Sequence, residues 1–120
     1  MTRVLVVEDV SDIRQLVVYA LEDEGYEVVE AVDGQAALDL ISEQHPDVII
    51  LDMSMPVIDG WKFAELYRER YASRAPIIVL TAAHNAAKRA ADIDADAYVP
   101  KPFTLGALLE RVSAMAGRTG

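Results

Sequence analysis

The chain contains no cysteine, which excludes a disulfide framework, a thiolate metal site and a cysteine nucleophile. It also lacks a long hydrophobic run near its start. After Arg3 only the apolar stretch Val4 to Val7 precedes Glu8 and Asp9, too short for a secretion signal or a membrane span. Basic residues are scarce, 11 against 20 acidic, for a formal net charge of −9. Such a chain repels nucleic-acid phosphates, so neither a direct nucleic-acid contact nor a membrane contact is expected. The acids are spread along the chain and not gathered in a tail, so the charge reads chiefly as a source of solubility. No linker, repeat or low-complexity segment interrupts the sequence. With 120 residues, 52% of them hydrophobic, a single domain over residues 1–120 with its own core is expected. These absences together fit a cytoplasmic protein.

Short apolar runs recur between longer stretches of helical period. Val4 to Val7, Val28-Val29, Val48 to Leu51, Ile77 to Leu80 and Ala97 to Val99 read as strands. The first, third and fourth are continuously apolar, the pattern of strands covered on both faces. Ile13, Leu16, Val17, Ala20 and Leu21 follow the spacing of an amphipathic helix, as do Leu105, Leu108, Leu109 and Val112. Asp59 to about Tyr71 sets Phe63, Leu66 and Tyr67 on one face, and Gln35 to Glu43 carries Ala37, Leu38 and Ile41. His84 to Asp92 is rich in alanine and only weakly patterned. Gly25, Asp33-Gly34, His45-Pro46, Asp59-Gly60 and Ala75-Pro76 supply the breaks. Strands alternating with helices in this way imply right-handed βαβ crossovers and a three-layer α/β open sheet. In such a sheet the working site lies beyond the carboxyl ends of the strands.

At those ends stand Glu8 and Asp9 after the first strand, Asp52 after the third, Thr81 after the fourth and Lys101 after the fifth. Carboxylates converging on one crevice repel one another and shift each other's pKa values unless a cation shares the site. A hard divalent ion such as Mg²⁺ suits oxygen ligands of this kind. With the ion bound, one carboxylate remains to attack a phosphoryl group, while the cation and Lys101 offset charge on the equatorial oxygens. Asp52 ends the most buried-looking strand and is the candidate nucleophile. Glu8 and Asp9 are candidate metal ligands, directly or through water.

Val-Val-Glu-Asp at 6–9, Leu-Asp-Met-Ser-Met-Pro at 51–56, Asp-Gly-Trp at 59–61, Thr81-Ala82 and Lys101-Pro102-Phe103 follow one another along the chain. In this combination the sequence resembles, over essentially its whole length, the CheY-like receiver domain of two-component response regulators. The resemblance implies a doubly wound (βα)5 flavodoxin-like fold, with a five-stranded parallel sheet in the order 2-1-3-4-5. It implies that Asp52 is the phosphoacceptor and that Glu8, Asp9, Asp52 and the backbone carbonyl of Ser54 hold Mg²⁺ or Mn²⁺. Lys101 would pair with the phosphoryl oxygens and Thr81 would hydrogen-bond one of them. Tyr98 matches the switch aromatic, whose ring turns inward when the threonine moves, and the Lys101-Pro102 bond is expected to be cis. Activation would change the face built by the fourth helix, the fifth strand and the fifth helix. The implied partners are a sensor histidine kinase or phosphotransfer protein and a downstream effector protein or domain, and a phosphorylation-linked dimer is compatible with the pattern. The chain would be a switch and not an enzyme, catalysing only its own phosphorylation and dephosphorylation.

Blander roles exist for each residue taken singly. Asp9, Ser11 or Asp12 could cap the first helix, Thr81 could simply end a strand, Lys101 could be a solvated charge, and Tyr98 a half-buried strand aromatic. Trp61 reads as a partly covered aromatic at a helix start, and His45 and His84 as structural residues. Rival functions fit these residues less well. A nucleotide or flavin site would place a glycine- or hydroxyl-rich loop after the first strand, where this chain has Glu8-Asp9-Val10-Ser11-Asp12. An aspartyl phosphatase of the haloacid dehalogenase type would carry an acid two residues beyond Asp52, where Ser54 stands. A receiver-like scaffold that works by protein binding without phosphorylation is the alternative; loss of the acceptor, the acid pair or the lysine would favour it, and none is lost. Two departures from the family pattern fall near the fourth helix: the segment from Thr81 to Lys101 is slightly short, and Asp94 stands where glycine is usual. Ser54 and Ala83 are neither acids nor amides able to orient water, so slow self-dephosphorylation is expected. The chain ends at Gly117-Arg118-Thr119-Gly120, soon after the last predicted helix, and no effector domain is expected within it.

Overall fold

Valine and isoleucine, stiff at χ1 and suited to a pleated surface, become the strands of one parallel sheet. The structure, a computed structural model, describes residues 2–53, 59–82 and 86–119; the expectations for Ser54, Ala83 and His84 lie outside them. Ten elements alternate: β1 (Arg3–Val7), α1 (Ser11–Asp23), β2 (Glu27–Ala31), α2 (Gly34–Gln44), β3 (Val48–Asp52), α3 (Gly60–Arg70), β4 (Ile77–Ala82), α4 (Ala86–Asp92), β5 (Ala97–Lys101) and α5 (Leu105–Thr119). The strands run in the order β2-β1-β3-β4-β5, all parallel. This is the expected three-layer flavodoxin-like arrangement. No described helix is long and apolar enough to cross a membrane.

Alternation along the strands divides the core in two. Val4 and Val6 of β1, Val48 and Ile50 of β3, and Ile78 and Leu80 of β4 pack with Val17 and Leu21 of α1 and Leu108 and Val112 of α5. Leu5, Val7, Ile49, Leu51, Ile77 and Val79 point the other way, onto Leu38 and Ile41 of α2 and Phe63 and Tyr67 of α3. Each aliphatic side chain taken fully out of water in this way contributes roughly 1.5–3 kcal/mol. Continuous apolar strands are therefore buried on both faces, as their composition implied.

Helix ends follow local chemistry. Asp33 accepts from the Ala36 amide at 2.8 Å, Asp59 from the Lys62 amide at 2.9 Å, and Thr104 Oγ1 from the Ala107 amide at 3.1 Å, so each satisfies an otherwise unpaired donor of a first turn. α1 differs from expectation. Its N-cap is Val10, with no side-chain cap bond, so none of Asp9, Ser11 and Asp12 serves that role. A second difference concerns Leu16, expected on the buried face of α1. It is 52% exposed because it sits at the rim of a cavity shared with Ile13, Phe103 and Leu105, while Val17, Ala20 and Leu21 make the core contact.

Two backbone positions carry strain or crowding. Asp94 has φ of 54°; its amide donates to Ala91 O at 3.2 Å, and that of Ala95 to Ala90 O at 2.8 Å. These are the two bonds of a Schellman ending for α4, with aspartate where glycine is favoured. At Gly60 an added Cβ would lie 2.4 Å from Met53 Sδ and 2.9 Å from Met53 Cα. Asp94→Gly should therefore raise stability by up to ~1 kcal/mol, and Gly60→Ala should lower it by ~1–3 kcal/mol through overpacking against Met53. Urea unfolding of both variants beside the wild type measures these shifts.

Candidate functional site

The site is assembled by continuing the strand pleats past the core. Asp52 is the last residue of β3, Thr81 lies within the end of β4, and Lys101 is the last residue of β5, one or two positions further into the strands than their apolar runs suggested. Val4, Val6 and then Glu8, like Val48, Ile50 and then Asp52, share a parity, so both acids leave the sheet on the side covered by α1 and α5. Lys101 follows Ala97 and Val99 on that same side. Register does the rest: Val7 pairs with Leu51, Asp52 with Leu80, and Ala82 with Lys101, which levels the strand ends.

Glu8 is 1% exposed and Asp52 3% exposed. Lys101 Nζ stands 3.3 Å from Asp52 Oδ1 and 3.6 Å from Glu8 Oε1. A carboxylate oxygen from each of Glu8, Asp9 and Asp52 lies within 4.8 Å of the others. Asp9 itself is exposed at the mouth. Neither oxygen of Glu8 receives a hydrogen bond among the described residues, although buried polar atoms are ordinarily satisfied. Burial, with the neighbouring Asp52 carboxylate adding to it, pushes Glu8 up to about 8, and Lys101 only partly opposes this. A buried acid whose oxygens accept no hydrogen bond among the described residues, beside two further carboxylates, is a donor set that suits a hard divalent cation, which would satisfy the oxygens and offset the repulsion.

Several contributors escape a reading of the sequence. The Glu8 amide donates to Ala31 O at 3.1 Å, and its carbonyl accepts from Arg14 Nη1 at 2.9 Å. Arg14 Nε in turn pairs with Glu30 at 3.2 Å. Arg14 thus steadies the turn that carries the acid pair, and nothing but an arginine on the first helix signals it. Behind Asp52, the Met53 amide donates to Leu80 O and the Gly60 amide to Met53 O, both at 3.3 Å, tying Met53 to β4 and to the start of α3.

The crevice opens into a cavity of about 540 Å³ whose walls include Asp52, Thr81, Lys101 and Phe103. The Lys101-Pro102 bond is cis, as expected. Tyr98 on the edge strand β5 is 41% exposed. Trp61 at the start of α3 is 38% exposed and partly covered by Arg89, in keeping with its expected place. His45 ends α2 with φ of 45° ahead of Pro46, a connecting role.

Comparison with known proteins bears on this geometry. A family model described as response regulator receiver domain matches residues 4–113. The response regulator MprA of Mycolicibacterium vanbaalenii is 42% identical over 119 residues, covering 98% of this chain and 51% of that protein. The chain therefore spans about half the length of the curated relatives it matches. Among solved structures, the receiver domain of the Francisella response regulator 1452 superposes with a TM-score of 0.90 at 31% identity, covering 100% of both chains. The chemotaxis response regulator CheY4 of Vibrio cholerae does so with a TM-score of 0.87 at 34% identity, over 96% of this chain and 98% of that one. With its sheet order, its strand-end acids and these matches in agreement, the chain belongs to the receiver domain family of two-component response regulators.

Proposed function

We propose that residues 1–120 act as one receiver domain that takes a phosphoryl group onto Asp52 from a phosphohistidine, carried by a sensor histidine kinase or a phosphotransfer protein. The observation that carries this reading is Lys101 Nζ held 3.3 Å from Asp52 Oδ1 at the edge of a buried acid cluster. An Asp52 oxygen forms the new bond to phosphorus as the P–N bond of the donor breaks, and the imidazole nitrogen keeps the bonding pair. Lys101 neutralises charge on the phosphoryl oxygens as they pass through the planar arrangement. Glu8, Asp9 and Asp52, with the Ser54 carbonyl, are the residues that would hold Mg²⁺ or Mn²⁺. When bound, the ion supplies charge neutralisation and a template for the phosphoryl oxygens.

In this reading the domain is a switch and has no metabolite substrate. An aspartyl phosphate adds negative charge and new acceptor oxygens beside Thr81. The Thr81 hydroxyl donates to one of them, and the partly exposed Tyr98 turns into the space vacated. The face formed by α4, β5 and α5 is thereby altered for an effector protein or domain, with dimerisation through that face as one form of output. A cytoplasmic location goes with this reading.

Incubation with Mg²⁺ and acetyl phosphate should add one phosphoryl group to the wild type by intact mass, and none to Asp52→Asn or in the presence of EDTA. Lys101→Ala should slow the gain by roughly 10²-fold or more. With Ser54 and Ala83 unable to orient water, the phosphoryl group should persist for minutes; decay within seconds would contradict those assignments.

The raised pKa of Glu8 has a definite sign. Folded protein holds this proton more tightly than unfolded chain, so the contribution of Glu8 to stability is complete below about 4.5 and is lost as pH rises through about 8. Metal-free wild type should thus lose stability over that range relative to Glu8→Gln, and Mg²⁺ should restore it, with proton release on binding below pH 8. Parallel pH profiles of the two proteins by urea unfolding, without and with Mg²⁺, provide the check.

A further inference from the structure

Arg89 lies in the middle of α4, a helix of 7 residues. Its guanidinium carbon is 4.9 Å from the centre of the Trp61 ring on α3. Among the described residues it makes no ion pair with a carboxylate. Asp92, one turn along the helix, shares a small surface cavity with Trp61 and Arg89 without pairing with the arginine. The same side chain also forms part of the wall of the crevice cavity, together with Asp52, Thr81 and Lys101. Arg89 is thus a cation with two attractive neighbours, one a ring face that it covers and the other the mouth of the acid cluster.

Charge decides which neighbour prevails. With a divalent cation bound, the ion and Lys101 would balance the three carboxylates of Glu8, Asp9 and Asp52. Converting Asp52 to its acyl phosphate adds about one further negative charge, and that charge faces the cavity that Arg89 borders. A cation–π contact to a ring that is itself 38% exposed is the weaker interaction, and a charge-assisted guanidinium bond to phosphoryl oxygens is the stronger. A guanidinium also offers two parallel donors, which a second lysine would not.

Building on the phosphoacceptor role of Asp52, we propose that Arg89 rests on Trp61 while Asp52 is unmodified and transfers to the phosphoryl oxygens once Asp52 carries them. The transfer releases the brace between α3 and α4 and pulls the middle of a two-turn helix toward the crevice. It gives the domain a coupling element alongside the Thr81 hydroxyl, and it acts from the α4 side of the site. Trp61, uncovered by the move, becomes available on the same surface.

Trp61 is the only tryptophan of the chain, so its emission reports the transfer directly. The test uses the full chain with Mg²⁺ and acetyl phosphate. Intact mass gives the extent of modification, fluorescence gives the Trp61 environment, and the Nε–H resonance of Arg89 in arginine-labelled protein gives the position of the guanidinium. The expected result is a shift of both signals on phosphorylation, loss of the emission change in Arg89→Ala, and at least partial retention in Arg89→Lys, with circular dichroism showing both variants folded. Full phosphorylation with Trp61 emission and the Arg89 resonance unmoved would overturn this inference alone, as would an emission change that persists undiminished in Arg89→Ala. A wild type that gains no phosphoryl group would overturn the phosphoacceptor reading, and the inference with it.

Discussion

Mutual repulsion among carboxylates at the carboxyl edge of the sheet is the constraint from which the rest of the site follows. Glu8, Asp9 and Asp52 bring oxygens within 4.8 Å of one another, and two of the three residues are nearly inaccessible to water. Such a cluster is unfavourable unless positive charge is supplied or a proton is retained. The protein does both in part: Lys101 reaches two of the acids, and Glu8 holds its proton to an unusually high pH. The deficit that remains is of the kind a divalent cation would offset, by satisfying the carboxylate oxygens and screening their repulsion. A site already neutral and fully hydrogen-bonded would have little to gain from one.

Holding acids in that condition requires a rigid support. The support comes from a sheet whose central strands are buried on both faces, so that neither β1 nor β3 can slip without moving an entire apolar row to the wrong layer. Register fixed by packing is therefore register fixed for Glu8 and Asp52. The Arg14 contact to the Glu8 carbonyl and the close approach of Gly60 to Met53 extend this rigidity one residue beyond the strands. A substitution at Gly60 would be felt at Asp52 because Met53 is the next residue along the chain.

By contrast, the side of the domain bearing α4 is lightly built. α4 is short and alanine-rich, and its buried members are Ala86 and Ala90. It ends on an aspartate in a left-handed conformation and is braced to α3 through a cation–π contact to the partly exposed Trp61. Small side chains bury little area, so the forces holding this helix are of the size that a change of one or two charges can redirect. Local stability is thus distributed unevenly, with the acid-bearing strands firm and the helix next to them easily biased.

Much of this was legible in the residues themselves. Continuous apolar runs identified the buried strands, and the spacing of Val17, Ala20 and Leu21 or of Leu108 and Val112 identified the helices that cover them, because burial in a regular element imposes a period. The position of Glu8, Asp9, Asp52, Thr81 and Lys101 just beyond apolar runs followed from the same logic. Leu16 misled, since a helix near a crevice can carry an apolar residue toward the cavity and not the core. The capping role open to Asp9, Ser11 and Asp12 was also indistinguishable in sequence from the uncapped start that α1 has. What only the tertiary structure decided is which groups meet: Lys101 between Glu8 and Asp52, Arg14 on the Glu8 carbonyl, Gly60 against Met53 and Arg89 over Trp61. Periodicity reports the direction a side chain faces within its own element, whereas these contacts depend on register and helix placement between segments far apart in the chain, and no local pattern encodes a distance.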